Sequence, residues 1–154
     1  MTEKNGADIL IVILIIIIGG SLMSTLKYSR QRESIKNFLA GRKDHPTAET
    51  IYSSLRQEQP RISLGTVYRN LSLLTELGEI RKISTDDGPD HFDGDISQHH
   101  HFICRQCHQV SDLHMENIDY ILDTAKKNFQ GQIEGYVANF YGLCEECKKT
   151  GNSP

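Results

Sequence analysis

The sequence predicts an α+β fold in two parts, an N-terminal winged helix-turn-helix domain followed by a smaller C-terminal α/β domain. Three observations lead to this prediction. The first half has helical periodicity in three short segments, and the second half carries its cysteines in two C-x-x-C pairs. In addition, the first half is basic and the second half is acidic. Residues Lys27 to Ile83 hold eleven Lys and Arg against six Asp and Glu, whereas Asp86 to Cys147 hold three against twelve.

The helical part of the first domain consists of three short segments. We predict helices from Ser29 to Gly41, from Ala48 to Gln57 and from Leu64 to Leu77. Thr47 and Ser63 are placed to cap the second and third helices, and Gly78 is placed to end the third. Three short helices with tight turns are typical of a helix-turn-helix unit.

The segments that follow predict a two-stranded wing. Ile80 to Ile83 and His91 to Asp93 are extended runs, separated by a turn at Asp86 to Pro89. We therefore assign residues 24–93 to the winged-helix domain and residues 94–98 to a linker.

Residues 99–148 form the predicted second domain. It has strands at His99 to Cys104, Gln109 to Leu113 and Gln132 to Tyr141, and a helix at Asn117 to Phe129. We predict a disordered tail over residues 149–154.

Residues 1–23 form an apolar extension. The aliphatic run Ile9 to Ile18 is shorter than the roughly 20 residues of a spanning helix, and it lacks the basic flank of a secretory signal. We favour a mis-assigned start, with translation beginning at Met23, and leave a membrane anchor or a signal segment as alternatives. On the favoured interpretation the protein is cytoplasmic, and it meets a membrane only if residues 9–23 are a genuine anchor.

The division of charge suits two kinds of partner. A basic unit suits a nucleic-acid backbone, and an acidic unit rich in His and Cys suits divalent cations. The alternative is that small domains simply vary in charge.

The cysteines are the strongest chemical signal. Cys104 and Cys107 form one pair, Cys144 and Cys147 the other, and the sequence has no further cysteine. Four thiolates satisfy tetrahedral zinc and leave no coordination position open, so the pattern predicts a structural Zn²⁺ site. The alternatives are two disulfides, which a chain without a convincing secretion signal disfavours, or cysteines without a role.

A second group of candidate ligands surrounds the first cysteine pair. Side chains alternate along a strand, so His99 and His101 share one face and His100 lies on the opposite face. Asp93 lies an even number of residues before His99, and Asp112 follows the cysteine pair on a paired strand. Two imidazoles and two carboxylates without a thiolate suit Fe(II), Mn(II) or Zn(II). We expect weaker binding here than at the cysteines, as a sensor needs.

The remaining histidines have a plainer interpretation. Single histidines are more often surface residues, and this is our expectation for His91, His108 and His114. His100 has the same interpretation, with an accessory metal site as its alternative.

The third predicted helix carries polar groups on its exposed side. Its hydroxyl, amide and guanidinium groups can hydrogen-bond phosphates and base edges in a major groove, although a polar helix face is often simply solvated. Together with two basic residues near the first helix, the candidate DNA contacts are Lys27, Arg32, Ser63, Thr66, Tyr68, Arg69 and Asn70.

Five motifs resemble the ferric uptake regulator family, over nearly all of residues 27–148. They are Tyr28-Ser-Arg-Gln-Arg32, His45-Pro-Thr-Ala-Glu-Thr-Ile-Tyr52, Ile62-Ser-Leu-Gly-Thr-Val-Tyr-Arg-Asn-Leu71, His99-His-His-Phe-Ile-Cys-Arg-Gln-Cys107 and Tyr141-Gly-Leu-Cys-Glu-Glu-Cys147.

The resemblance implies a C-terminal α/β dimerisation domain with a Cys₄ zinc site, and a regulatory Fe²⁺ or Mn²⁺ between the domains. By position, the regulatory ligands would be His45, Asp93, His99, His101 and Asp112. The assignment of His45 as a ligand rests on the resemblance alone, since its spacing would identify it only as a turn residue. The resemblance also implies a homodimer that binds palindromic double-stranded operator DNA as a metal-dependent repressor, not an enzyme.

Aspartate at both carboxylate positions is similar to the peroxide-sensing branch of the family. In that branch Fe(II) reacts with hydrogen peroxide and a ligand histidine is oxidised, for which His45 and His99 are the candidates here. The alternatives are a regulator that senses iron, zinc or manganese itself, a membrane-tethered regulator, and a metal-dependent hydrolase.

Two departures from the family pattern are His91, where an Arg is usual, and the lack of a His between Ile133 and Tyr141, which favours a single regulatory site.

Overall fold

The computed structural model describes residues 28–116 and 118–151. The apolar extension over residues 1–23, the candidate DNA contact Lys27 and the last residues of the predicted tail, 152–154, lie outside the described residues.

The first domain begins with the three predicted helices, α1 (Arg30–Leu39), α2 (Ala48–Glu58) and α3 (Leu64–Glu76). Each begins at a hydroxyl side chain that accepts a hydrogen bond from the backbone N–H three residues further on. These N-caps are Ser29, Thr47 and Ser63. Such a cap satisfies one of the backbone donors that a helix start leaves unpaired, which fixes where each helix begins.

The apolar faces of the three helices meet in one core. Its buried members are Ile35, Leu39, Ala48, Ile51, Leu55, Ile62, Val67, Leu71, Leu74, Ile80 and Phe92. Leu77, which the periodicity also assigns to this face, is 43% exposed. The reason is that α3 ends at Glu76 and the chain turns away through Gly78, whose φ of 68° is in the left-handed region.

The predicted wing forms from β1 (Arg81–Ile83) and β2 (His91–Asp93), which pair antiparallel with Ile83 opposite His91. Strand β2 is also fixed to the loop between α1 and α2. Thr47 forms an isolated bridge with His91, and the Phe92 N–H donates to the Pro46 carbonyl at 3.0 Å.

The second domain is a three-stranded sheet of order β4-β3-β5 with two helices. Its elements are β3 (His100–Cys104), β4 (Val110–Leu113), α4 (Asp119–Lys127), β5 (Asn139–Gly142) and α5 (Glu145–Lys149). Strand β4 pairs antiparallel and β5 parallel with β3. Only the end of the predicted strand over residues 132–141 forms a strand here. Helix α5, which the sequence analysis did not predict, extends to Lys149, into the stretch predicted as a disordered tail.

The two domains are packed against each other. Ile83 of β1 is buried with Ile103 and Val110 of the second domain. The Arg81 guanidinium donates to the carbonyls of Ile96 and Ser97 in the linker, at 3.0 and 3.1 Å. The predicted α+β fold is confirmed. Within residues 28–116 and 118–151, no helix has the length and apolar character needed to cross a membrane.

Candidate metal centres

Strands β3 and β5 bring the two cysteine pairs together. Cys104 ends β3 opposite Gly142 of β5, so Cys144 follows close beside it. The four ligand atoms lie within 4.8 Å of one another, and the sulfurs of Cys107 and Cys144 are 3.7 Å apart. Sulfurs about 2.3 Å from one tetrahedral zinc are about 3.8 Å apart, whereas a disulfide joins sulfurs at about 2.05 Å. The cysteines, none of which forms a disulfide, therefore fit a zinc site.

The local backbone favours the charged form of one cysteine in particular. Burial tends to raise the pKa of Cys104, but backbone N–H groups of Cys107, Cys144 and Gln106 outweigh it and lower this pKa to about 6. Burial and the three neighbouring sulfurs raise the pKa of Cys147 to about 12. Four sulfurs this close all hold negative charge only with a cation among them, so the cluster suits a divalent ion.

Five further side chains converge between the two domains. They are His45 from the loop between α1 and α2, Asp93 at the end of β2, His99 directly before β3, His101 in β3, and Asp112 in β4. One ligand atom from each lies within 4.8 Å of the others. Asp112 reaches the group because it is the antiparallel partner of His101.

The Nε2 atoms of the three imidazoles face the two carboxylates. Oδ2 of Asp93 lies 2.9 Å from His99 Nε2, 3.5 Å from His101 Nε2 and 3.7 Å from His45 Nε2. Oδ1 of Asp112 lies 3.0 Å from His45 Nε2 and 3.4 Å from His99 Nε2. Adjacent ligand atoms about 2.1 Å from one ion are about 3 Å apart, so these spacings suit a shared cation.

The atoms that face one another here are buried, and none has a hydrogen-bond partner within the described residues. They are Nε2 of His45, His99 and His101, Oδ2 of Asp93 and Oδ1 of Asp112. A buried polar atom left unpaired costs about 1–3 kcal/mol, so five around one point would be expensive without a ligand. Three imidazoles and two carboxylates fit Fe(II), Mn(II) or Zn(II).

The charges of the cluster suit a cation as well. Burial tends to raise the pKa of Asp93, but the imidazoles of His101 and His45 and the Asp95 amide outweigh it and hold this pKa far below its usual range. Burial tends to lower the pKa of His45, but the carboxylates of Asp93 and Asp112 outweigh it and raise this pKa. A proton on His45 therefore competes with a metal ion for the same nitrogen.

Linker residues orient two of the candidate ligands. The Asp95 N–H donates to Oδ1 of Asp93 at 2.8 Å, which leaves Oδ2 facing the cluster. His99 Nδ1 donates to the Ser97 carbonyl at 2.9 Å, so its Nε2 lone pair faces the cluster. Hydrogen bonds of this kind set the orientation of metal ligands.

Several residues around the cluster were not singled out by the sequence, or were interpreted differently. Lys43 Nζ lies 2.9 Å from Oδ2 of Asp112, and Arg81 holds the linker. His91, expected at the surface, is buried, and its Nδ1 donates to the His45 carbonyl. His100 is buried as well, with Nδ1 accepting from the Ala138 N–H at 3.2 Å. No periodicity or motif signals these contacts, because each joins segments distant in sequence.

The candidate DNA contacts on α3 also form hydrogen bonds within this helix and to α2. Ser63 Oγ accepts from the Thr66 N–H at 3.2 Å, and Asn70 donates to the Thr66 carbonyl at 2.8 Å. The Arg69 guanidinium donates to Thr66 Oγ1, and the Tyr68 hydroxyl donates to a carboxylate of α2. Ser63, Tyr68 and Arg69 are exposed, whereas Thr66 and Asn70 are half-buried. Arg32 is half-buried in the first turn of α1.

A winged helix, followed by a small α/β domain with a cysteine cluster and a second ligand cluster between the domains, defines a class of metal-binding winged-helix proteins. The ferric uptake regulator family matches residues 23–139. The chain belongs to this family, and the resemblance found in the sequence motifs is confirmed.

Its relatives include sensors named for peroxide and for iron. The chain is 31% identical over 127 residues to the peroxide-responsive repressor PerR of Staphylococcus epidermidis, covering 82% of this chain and 85% of the relative. It is 32% identical over 129 residues to the ferric uptake regulation protein of Bacillus subtilis, covering 80% and 87%. The names of these relatives therefore do not establish whether this chain responds to peroxide or to iron.

Solved structures share the fold. The ferric uptake regulator of Helicobacter pylori superposes with a TM-score of 0.73 at 23% identity, over 99% of this chain and 100% of that one. The peroxide stress regulator of Campylobacter jejuni gives a TM-score of 0.66 at 22% identity, over 94% and 100%.

Proposed function

We propose that the protein is a cytoplasmic, homodimeric, metal-dependent repressor that binds palindromic operator DNA, and that it is a regulator and not an enzyme. The observation that carries this proposal is the origin of the five clustered ligands. His45 and Asp93 belong to the winged-helix domain, whereas His99, His101 and Asp112 belong to the other side of the linker. A site assembled from both domains is complete only when the domains are packed together.

The chain's own residues supply the coupling between the site and the linker. Asp93 faces the cluster with one oxygen and accepts a linker hydrogen bond with the other. A ligand that draws these five side chains together favours the closed arrangement by its differential affinity for it. Closure fixes the position of α3, which a two-fold dimer must present to half-sites about 34 Å apart along the DNA.

The two clusters are proposed to hold different ions. Cys104, Cys107, Cys144 and Cys147 would hold a structural Zn²⁺, which ties the start of α5 to β3. The five histidine and aspartate ligands would hold an exchangeable Fe²⁺ or Mn²⁺, because nitrogen and oxygen ligands suit these ions and no thiolate takes part.

A homodimer is supported by the surface of the second domain. Large apolar side chains there remain exposed in the single chain, namely Tyr120, Phe129, Val137, Phe140 and Tyr141. Strand β5 is an edge of its sheet. Exposed apolar surface beside an open strand edge is typical of an interface, so a second copy would cover it.

Metal-dependent DNA binding is the first test. A duplex library with a randomised centre would be selected with Mn(II)-treated protein, and affinity for a selected duplex measured by fluorescence anisotropy with and without Mn(II). We expect about 10-fold or tighter binding with Mn(II), because coupling free energies of this kind correspond to factors of about 5–150.

Two histidine variants make the DNA test specific. His45→Ala should lose the response to Mn(II), whereas His114→Ala, which replaces an exposed histidine outside the cluster, should keep it. Equal DNA affinity with and without Mn(II) in the unmodified protein would refute the proposal.

Peroxide is the signal we propose. Bound Fe²⁺ would supply the redox chemistry that activates hydrogen peroxide beside the ligands. The net change on His45 or His99 is replacement of a ring C–H by C–OH. The O–O bond breaks, one oxygen goes to the ring carbon and the other leaves as water. The ring loses the two electrons that the peroxide gains. The altered ring no longer fits the cluster, which releases the closed arrangement.

Peptide mass spectrometry tests the peroxide proposal. Protein treated with Fe(II) and then hydrogen peroxide should gain one oxygen on the peptide of His45 or His99, in parallel with loss of DNA binding. Protein treated with Mn(II) in place of Fe(II) is the control and should gain none. DNA release by a chelator but not by peroxide would instead identify a sensor of the metal itself.

A further inference from the structure

His91 contacts the backbone of a candidate ligand without being a ligand itself. Its ring is buried, and Nδ1 lies 2.5 Å from the carbonyl oxygen of His45. A carbonyl only accepts hydrogen bonds, so Nδ1 must carry the proton and donate it. The other ring nitrogen, Nε2, is buried and has no hydrogen-bond partner within the described residues.

The residue that receives this hydrogen bond has an unusual backbone. His45 has a φ of 42°, in the left-handed region, and shares a positive φ with only one other described non-glycine residue, His108. A side chain in this region strains the backbone, and the conformation persists only where surrounding contacts hold it. The same conformation directs the imidazole of His45, which is 1% exposed, into the cluster.

Strand β2 holds the loop of His45 at three successive points. His91 donates to the carbonyl of His45, the Phe92 N–H donates to the carbonyl of Pro46, and Thr47 bridges to His91. Two residues after His91, the strand supplies Asp93 to the same cluster. One short strand therefore provides one ligand and fixes the backbone of another.

We propose that His91 is a positioning residue of the regulatory metal site, which holds His45 in its left-handed backbone conformation by donating Nδ1–H to the His45 carbonyl. This inference rests on the proposed function of the cluster as a metal site. It extends that proposal to a residue that is not one of the five candidate ligands. It also assigns the effect of His91 to its hydrogen bond and not to the space that the ring fills.

Two variants separate these roles. His91→Asn retains an N–H donor near the position of Nδ1, whereas His91→Leu has a similar size and no donor. The measured quantities are Mn(II) affinity by isothermal titration calorimetry and the melting temperature of protein with zinc at the cysteines only. We expect His91→Leu to weaken Mn(II) binding about 10-fold, the lower end for partners of metal ligands, and His91→Asn to stay within about 3-fold of the unmodified protein.

Each result has a defined meaning. Unchanged Mn(II) affinity in His91→Leu overturns the inference, and so does an equal loss in both variants, which would indicate packing alone. If His45→Ala binds Mn(II) as tightly as the unmodified protein, the proposed metal site itself fails. If His45→Ala loses binding and His91→Leu does not, the inference alone fails.

A measurement on the unmodified protein covers the case in which His91→Leu does not fold. Nitrogen-15 NMR of histidine side chains distinguishes the two neutral tautomers, with His91 assigned by comparison with His91→Asn. With zinc at the cysteines and no other metal added, we expect His91 to carry its proton on Nδ1. A proton on Nε2 alone would remove the donor and overturn the inference.

Discussion

Neighbouring histidines of β3 occupy opposite environments because side chains alternate along a strand. His101 is fully buried and faces the ligand cluster. His100 faces the other way, where its ring stacks on Tyr136 with centroids 5.3 Å apart and Nδ1 accepts from the Ala138 N–H. A shift of one residue in strand register would turn each ring to the opposite face of the sheet, so His100 would face the cluster in place of His101.

The environment of His100 predicts a pH-dependent contribution to stability. Burial, and then the neighbouring His101 and His99, lower the pKa of His100 below its ordinary value of 6.5. In the unfolded chain the ring is protonated as pH falls through 6.5, whereas in the folded chain it stays neutral to lower pH. Proton uptake therefore favours the unfolded chain, and the contribution of His100 to stability decreases below pH 6.5.

The matched variant is His100→Asn, whose amide oxygen can accept from the Ala138 N–H at any pH in this range. We expect the stability of His100→Asn relative to the unmodified protein to rise as pH is lowered from 7.5 to about 5.5. Urea unfolding of zinc-loaded protein at several pH values measures it. A difference that does not vary with pH would contradict the assignment.

At the scale of elements, the wing turn lies against His108, the residue that follows the first cysteine pair. A Cβ on Gly88 would lie 2.5 Å from His108 Cγ and 2.7 Å from Thr85 Oγ1. His108, which follows Cys107 and has a φ of 60°, was expected at the surface but is half-buried. The wing turn can therefore approach the His108 ring this closely only because Gly88 has no side chain.

Two glycine variants test this close approach. Gly88→Ala should destabilise the protein by about 1–3 kcal/mol, because the added methyl group forces the His108 ring or the wing turn to move. Gly65→Ala is the control, since its Cβ would meet nothing within 4 Å inside α3. It should stabilise the protein by about 0.5–1 kcal/mol through helix propensity. Equal effects of both variants on urea unfolding would argue against the contact.

At the scale of the whole molecule, both polar and apolar contacts join the two domains. Ile83 packs against Ile103 and Val110, while Lys43 pairs with Asp112 at 2.9 Å. The lysine side chain is 62% exposed, so solvent screens its ion pair and the pair contributes little to stability. The buried aliphatic contact is therefore the larger contribution to domain packing.

Ile83→Ala and Ile80→Ala separate packing between the domains from packing within one domain. Both isoleucines are almost fully buried, but Ile80 belongs to the winged-helix core, whereas Ile83 packs with residues of the second domain. Each variant should lose about 2–5 kcal/mol of stability. Ile83→Ala should also weaken Mn(II) binding by about 3–10-fold, because a ligand binds more weakly when its competent arrangement is less populated. Calorimetry that finds equal Mn(II) affinity in the two variants would disprove this coupling.

The helix starts of the first domain were predicted from local signals, whereas the extent of β5 and the burial of His91 depend on distant partners and were not predicted. Ser29, Thr47 and Ser63 begin their helices because each cap involves only the next few residues. The strand predicted from Gln132 is shortened to Asn139–Gly142, since a strand needs a partner and β3 reaches only that far. His91 is buried rather than exposed because it packs on a loop that is remote in sequence.

The sequence by itself determined the helices of the first domain, the wing, the family and the two cysteine pairs, because period, caps and spacing act over a few residues. Only the tertiary structure decided how the loop of His45 meets Asp93, and that His91 donates a hydrogen bond to the backbone of that loop. The physical reason is that bringing ligands together across a linker depends on packing between domains, which local spacing does not encode.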